Sequence, residues 1–176
     1  KIINIEEKWN QMLKKGIKFV TINDEKYPDK LRIYDDKPLW LYYKGQLPEN
    51  DEKLVGMVGA RNCSQYGKSM AEHLSSKLAL YSIGVVSGMA RGIDVACHRG
   101  ALDGRGKTYA ILGCGVDICY PRENINAYMD IINNGGVISE YPPGCQPISW
   151  QFPYRNRIIS MFSDAVAVIE AKAKSG

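Results

Sequence analysis

The chain has 176 residues, 45% of them hydrophobic, with 23 Lys and Arg against 19 Asp and Glu for a net charge of +4. That length suits one well-buried domain with a modest extension, and the charge falls well short of a histone-like binder, so a nucleic-acid partner has to be met by the arrangement of cations rather than their total. No apolar run approaches the roughly 20 residues of a membrane span, and no charged-then-apolar leader opens the sequence, which predicts a cytoplasmic protein without a membrane partner.

Residues Ile5 to Lys15 place Ile5, Trp9, Met12 and Leu13 at helical spacing, and Gly16 supplies the stop. Ile17 to Ile22 and Leu39 to Lys44 read as strands, separated by a polar stretch containing Tyr27-Pro28 and Pro38. Gly45 to Lys53 reads as a linker. Residues 1–50 are thus expected to form an N-terminal extension, a short helix plus strands, joined to a main domain over residues 51–176.

Five short apolar runs follow: Leu54 to Gly59, Ile83 to Ser87, Lys107 to Leu112, Val137 to Glu140 and Asp164 to Ile169. Their lack of polar alternation predicts strands buried on both faces, and the stretches between them are long enough for crossover helices. Ser64 is a good N-cap for a helix with Met70, Leu74, Leu78 and Tyr81 on its apolar side. Ile93, Ala96, Cys97, Gly100 and Ala101 give the next helix a small-residue face able to lie close against the sheet. Ile125, Tyr128, Met129 and Ile132 mark a third helix before Gly135-Gly136. The fold class is therefore α/β, a doubly wound and mostly parallel sheet with helices on both faces. The chain stops at Lys174-Ser175-Gly176, where another strand-to-helix turn would begin, so the main domain is expected to be truncated there.

In such sheets ligands sit beyond the carboxyl ends of the strands, where this chain places VGARNCSQYG, SGMARGID, GCGVDICYP, SEYPPG and FPYRNR. Arg61, Arg91, Arg122, Arg155 and Arg157 all fall there, which predicts a local basic cleft. Five cysteines, an odd number without a C-x-x-C pair, are expected as reduced thiols with no bound metal.

The VGARNCSQYG turn opens a helix and can hold an anion, with Arg61 adding charge. It is not the dinucleotide fingerprint G-x-G-x-x-G, because Arg61 and Ser64 stand where glycines belong. GCGVDI fails in the same way at Ile118, and no G-x-x-x-x-G-K-[ST] occurs. No cofactor is expected. SGMARGID is the better anion loop: Gly88 and Gly92 permit close backbone approach across Met89 and Ala90, and Ser87 and Arg91 offer a hydroxyl and a guanidinium. Asp94 complements the helix dipole or serves the loop. Asp94, His98 and Ser87 tempt a hydrolase reading, but Ser87 lacks the G-x-S-x-G elbow, and an acid four residues before a histidine is a common local pair. Glu140 and Glu170 both end strands, either as paired carboxylates or as partners that orient Arg155 and Arg157. In WQFPYRNR, Trp150, Phe152 and Tyr154 run into the two arginines, and Tyr120 closes the neighbouring loop. Aromatic faces beside guanidinium groups suit single-stranded nucleic acid, although Phe152 or Trp150 can equally anchor the following helix in the core.

Taken in order, VGARNCSQYG, SGMARGIDVACHRGAL, GCGVDICYP, ISEYPPG and FPYRNRIIS resemble the DNA-processing protein A (DprA, also called Smf) family, with YPDKL, PLWLYYKG and AKSG extending the likeness over Tyr27 to Gly176. The resemblance implies an extended Rossmann-like domain, not an enzyme, that binds single-stranded DNA, forms a homodimer and loads RecA during natural transformation. Arg61, the loop from Ser87 to Gly92, and Arg122 after Tyr120-Pro121 match parts of the family's DNA pocket. Ser149 stands where the pattern has a basic residue. The rival reading is a nucleotide-binding or nucleoside-monophosphate-hydrolysing enzyme of the lysine-decarboxylase-like (LOG) type using Glu140 or Glu170, whose P-G-G-x-G-T-x-x-E signature this chain lacks. A third is an interaction module whose dimer surface matters more than its pocket.

Overall fold

The computed structural model describes residues 4–171. Helix α1 (Ile5–Lys14) starts where the Asn4 side chain accepts the Glu7 N–H. Strand β1 (Lys18–Thr21), the short helix α2 (Asp29–Arg32) and strand β2 (Trp40–Gly45) follow. The parallel strands are β3 (Leu54–Gly59), β4 (Gly84–Ser87), β5 (Thr108–Ile111), β6 (Gly135–Ser139) and β7 (Ala165–Glu170). Helices α3 (Gln65–Leu80), α4 (Ile93–Asp103), α5 (Ile125–Asn134) and α6 (Gln151–Phe162) connect them.

All seven strands form one sheet in the order β1-β2-β6-β5-β4-β3-β7. The fold is α/β, with β1 and β2 antiparallel at one edge and the other five strands parallel. β2 pairs with β6, and Gln46 N–H donates to the Gly135 carbonyl at 2.8 Å, so the N-terminal strands are continuous with the main sheet.

Strand periodicity sorts the core onto two faces. Val86, Tyr109, Ile111 and Ile138 pack with Tyr27, Leu31, Ile158 and Phe162 beneath α2 and α6. On the other face, Val85 and Met57 meet α3 and α4, while Ala110 and Val137 meet α5 and Met12 of α1. β4, β5 and β6 are buried at every position. β7 departs from the expectation of burial on both faces: it is the edge strand, and Val166 and Val168 are 48% and 62% exposed.

Two helix faces also differ from those expected. α3 buries Gly67, Ala71 and Ser75, while Leu74 and Tyr81 are exposed. The cause is a close crossing of two helices, in which a Cβ on Gly100 of α4 would collide with the Glu72 backbone of α3. The small-residue face of α4 thus serves α3 as well as the sheet. α5 buries Ala127, Tyr128 and Ile131 and leaves Ile125 and Met129 exposed. Gly135 and Gly136 belong to β6, where a side chain would strike the Thr108 and Gln46 backbones.

Candidate nucleic-acid interface

The carboxyl ends of β3, β4 and β5 and the first turns of α6 enclose a cavity of about 400 Å³. Arg61 enters from the turn after β3, and Met89, Ala90 and Arg91 from the loop after β4. Leu112, Gly113, Cys114 and Tyr120 through Glu123 come from the segment after β5, and Phe152 and Arg155 from α6. A second cavity of about 880 Å³ shares Arg61, Ala90, Phe152 and Arg155 and extends towards Asn62, Asn156 and the exposed face of β7. Arg61 and Phe152 therefore form a common wall. The Arg61 guanidinium lies 5.5 Å from the Phe152 ring centroid, and Tyr120 stacks on the same ring at 5.6 Å and 27°. Tyr120 keeps an exposed surface while Phe152 is half-buried.

The charges around this wall differ in availability. Arg61 and Arg122 are exposed and make no ion pair among the described residues. Arg91 is exposed but held by Glu123 through two bonds, Nε to Oε1 at 2.7 Å and Nη2 to Oε2 at 2.9 Å. Arg155 is only 4% exposed and donates to the Ile111 carbonyl. Burial pulls its pKa down, and the nearby Asp94 opposes the shift. Asp94, 6% exposed, is pushed up by burial against the opposing charge of Arg155, the Ala90 N–H and Arg61. Arg155 and Asp94 thus form a buried support beneath the loop.

The SGMARGID loop is shaped by two glycines. A Cβ on Gly88 would collide with Asp94 Oδ2, and Gly92 adopts φ +74° where a Cβ would strike the Ala60 and Arg61 carbonyls. Ser87 faces inward and donates to the Met57 carbonyl at 2.6 Å. His98 is fully buried between Thr108 Oγ1 and the Gly88 carbonyl.

Of the arginines and aromatics singled out in the sequence, the structure brings Arg61, Arg91, Tyr120, Arg122, Phe152 and Arg155 together around one opening. Trp150 and Arg157 line neither cavity. Arg157 is bound to Glu140 by two bonds of 2.7 and 3.1 Å and lies 4.1 Å over the Tyr154 ring. Trp150 packs between Tyr141 and Tyr154. The anion position at the start of α3 is taken by Glu170, which accepts the Ser64 N–H at 3.0 Å and the Ser64 hydroxyl at 2.7 Å. Glu140 follows β6 and Glu170 ends β7, strands four places apart in the sheet and roughly 19 Å at the usual strand spacing, so the two do not share a site. Glu123 and the Asp94–Arg155 support are additions that the sequence reading did not single out for these roles. The one signal for Glu123 was its acid beside Arg122 in the same loop.

Among the described residues no cluster of three or more His, Cys, Asp or Glu side chains is arranged to hold a metal, and no helix is long and apolar enough to cross a membrane.

The family described as DNA recombination-mediator protein A matches residues 18–176. The chain is 42% identical over 156 residues to DNA processing protein DprA of Streptococcus pneumoniae, covering 89% of this chain and 55% of that protein. It thus spans about half the length of that relative. The X-ray structure of DprA from S. pneumoniae superposes with a TM-score of 0.83 at 38% identity, over 94% of this chain and 59% of that one. A structure of DNA processing protein A from Helicobacter pylori, described as showing its single-stranded DNA binding mode, gives a TM-score of 0.78 at 29% identity, over 92% and 73% of the two chains.

Proposed function

The chain belongs to the DNA recombination-mediator protein A family, and from that premise we propose that its carboxyl-edge cleft binds single-stranded DNA. The observation that carries this reading is the convergence of Arg61, Arg91 and Arg122, from three separate loops, around the stacked Tyr120 and Phe152. Unpaired bases have free π-faces for the exposed Tyr120, while the guanidinium groups neutralise the sugar-phosphate chain. A duplex hides those faces, so the cleft discriminates by strandedness rather than by sequence. The related Helicobacter pylori protein, described by its single-stranded DNA binding mode, supports the same choice of ligand.

Protection of incoming single strands, loading of RecA in transformation, and homodimerisation in the cytoplasm belong to this reading through the family resemblance. Binding rather than catalysis is favoured, because Glu140 is committed to Arg157 and lies far from Glu170. Anisotropy titration of single- and double-stranded oligonucleotides at two salt concentrations tests the proposal. A preference for single strands with affinity falling as salt rises is the expected result. Equal or stronger binding of duplex, or salt-independent binding, overturns it.

A further inference from the structure

The SGMARGID loop is tied to the protein body through three successive carbonyls. His98 Nε2 lies 2.5 Å from the Gly88 oxygen, Asn124 Nδ2 donates to the Met89 oxygen at 2.9 Å, and Val95 N–H donates to the Ala90 oxygen at 3.2 Å. Ala90 and Arg91, the next residues along, line the cavity.

The first tie differs from the others because its donor is a titratable ring. A carbonyl oxygen only accepts, so His98 Nε2 must carry a proton. Nδ1 lies 2.7 Å from Thr108 Oγ1, which also sits 3.0 Å from the Val85 carbonyl. A neutral ring with its proton on Nε2 therefore accepts a hydrogen bond from the Thr108 hydroxyl at Nδ1, in place of the bond from that hydroxyl to Val85. An imidazolium would donate at both nitrogens and turn that hydroxyl to Val85. Complete burial, with the Arg155 charge nearby, holds the pKa down to about 4, against the weaker upward pull of the Gly88 hydrogen bond. Around neutral pH the ring is thus uncharged. The groups facing it are Thr108 from β5 and Arg155 from α6, and Asp94 stands one turn earlier on its own helix.

The Gly88–Met89 peptide plane has little intrinsic resistance to rotation, because glycine tolerates a wide range of ψ. Asp94 and Arg155 occupy the space that a Cβ on Gly88 would need, but only a bond to the oxygen fixes the plane itself. We propose that His98, as the Nε2–H tautomer oriented by Thr108, is a positioning residue that fixes the Gly88 carbonyl and thereby sets where Ala90 and Arg91 stand in the cleft. This rests on the single-strand reading of the same cleft. His98 itself touches no ligand.

The test compares His98→Leu, which removes both ring nitrogens, with His98→Gln, whose amide can donate to Gly88 and accept from Thr108. His98→Leu is expected to weaken single-strand binding roughly tenfold. The slope of log affinity against log salt is expected to fall by no more than roughly 0.7, the share of the single phosphate contact that a displaced Arg91 would give up. His98→Gln is expected to recover most of that affinity. In the wild-type protein, two-bond 1H–15N spectra should place the proton on Nε2, and the Met89, Ala90 and Arg91 amide signals should move in His98→Leu while those of β1 and β2 stay in place. A proton on Nδ1, or a folded His98→Leu protein with unmoved loop amides and wild-type affinity, overturns the proposal. If His98→Leu does not fold, the wild-type tautomer and the affinity of His98→Gln decide: a wild-type ring proton on Nδ1, or loss of binding in His98→Gln, overturns the proposal. Failure of the wild-type protein to bind single strands would remove the functional reading, whereas the tautomer and loop-amide measurements judge His98 independently.

Discussion

Arg91 and Glu123 close a two-pronged ion pair at the mouth of the carboxyl-edge cavity, with both side chains more than half exposed. Such a pair contributes less than about 1 kcal/mol to stability, so its stronger consequence is for binding: Glu123 competes with phosphate for Arg91. Glu123→Gln is expected to leave the unfolding midpoint almost unchanged and to tighten single-strand binding about threefold, steepening the salt slope by up to roughly 0.7. Titrations at two salt concentrations check this, and weaker binding would show instead that Glu123 holds Arg91 in its working position.

Arg61 stands against the face of Phe152 and makes no ion pair among the described residues. Arg61→Ala should weaken single strands of every sequence to a similar degree and lower the salt slope by roughly 0.7. Its thermal stability should change little, because the side chain is exposed. Unchanged affinity and slope, measured on oligonucleotides of mixed and uniform sequence, would remove Arg61 from the interface.

His98 gives the fold a defined acid sensitivity. Its ordinary pKa of 6.5 falls to about 4 in the folded protein, chiefly through burial. Between those values the unfolded chain takes up a proton that the folded chain refuses. The stability is therefore complete above pH 6.5 and is lost as pH falls towards 4, by up to about 3 kcal/mol. Asp94, whose pKa is raised chiefly by burial, shifts stability in the opposite sense as pH rises above the ordinary carboxylate value. Denaturant unfolding from pH 7 to 4 should therefore be compared between wild type and His98→Gln, and a difference that does not shrink as the pH is lowered would contradict this account.

The location of the site was legible because strand ends can be read from apolar runs that break at Gly59, Ser87 and Leu112, and each break is followed by an arginine-bearing loop. What could not be read was direction within a helix. Trp150 and Phe152 look like neighbours in the sequence, as do Arg155 and Arg157, yet residues two apart on a helix point roughly 200° from each other. Phe152 and Arg155 accordingly line the cavities, while Trp150 and Arg157 join Tyr154 and Glu140 elsewhere. Burial was misjudged for a related reason. Leu74 and Tyr81 carry the helical apolar spacing, but the close approach of α4 at Gly100 gives the buried face of α3 to Gly67, Ala71 and Ser75. The run from Asp164 to Ile169 has no feature marking it as an edge strand, since neighbours across a sheet are set by topology and not by local pattern.

Arg157 and Glu140 supply a contrast that separates stability from binding. Their side chains are each 15% exposed, and the two bonds between them tie α6 to the segment that follows β6. The Trp40 indole N–H donates to the Glu140 carbonyl at 3.0 Å, which brings β2 to the same point. Removing the guanidinium leaves a largely desolvated carboxylate without its cation, so Arg157→Ala should cost about 2 kcal/mol of unfolding free energy. Replacing both partners, as in Arg157→Leu with Glu140→Leu, should recover part of that loss because no charge is stranded. Neither change removes a cation from the cavity, so at temperatures well below unfolding the salt slope for single strands should match wild type. Arg61→Ala has the reverse signature, with stability kept and slope reduced. A salt slope lowered by Arg157→Ala in a fully folded protein would place that guanidinium on the DNA after all.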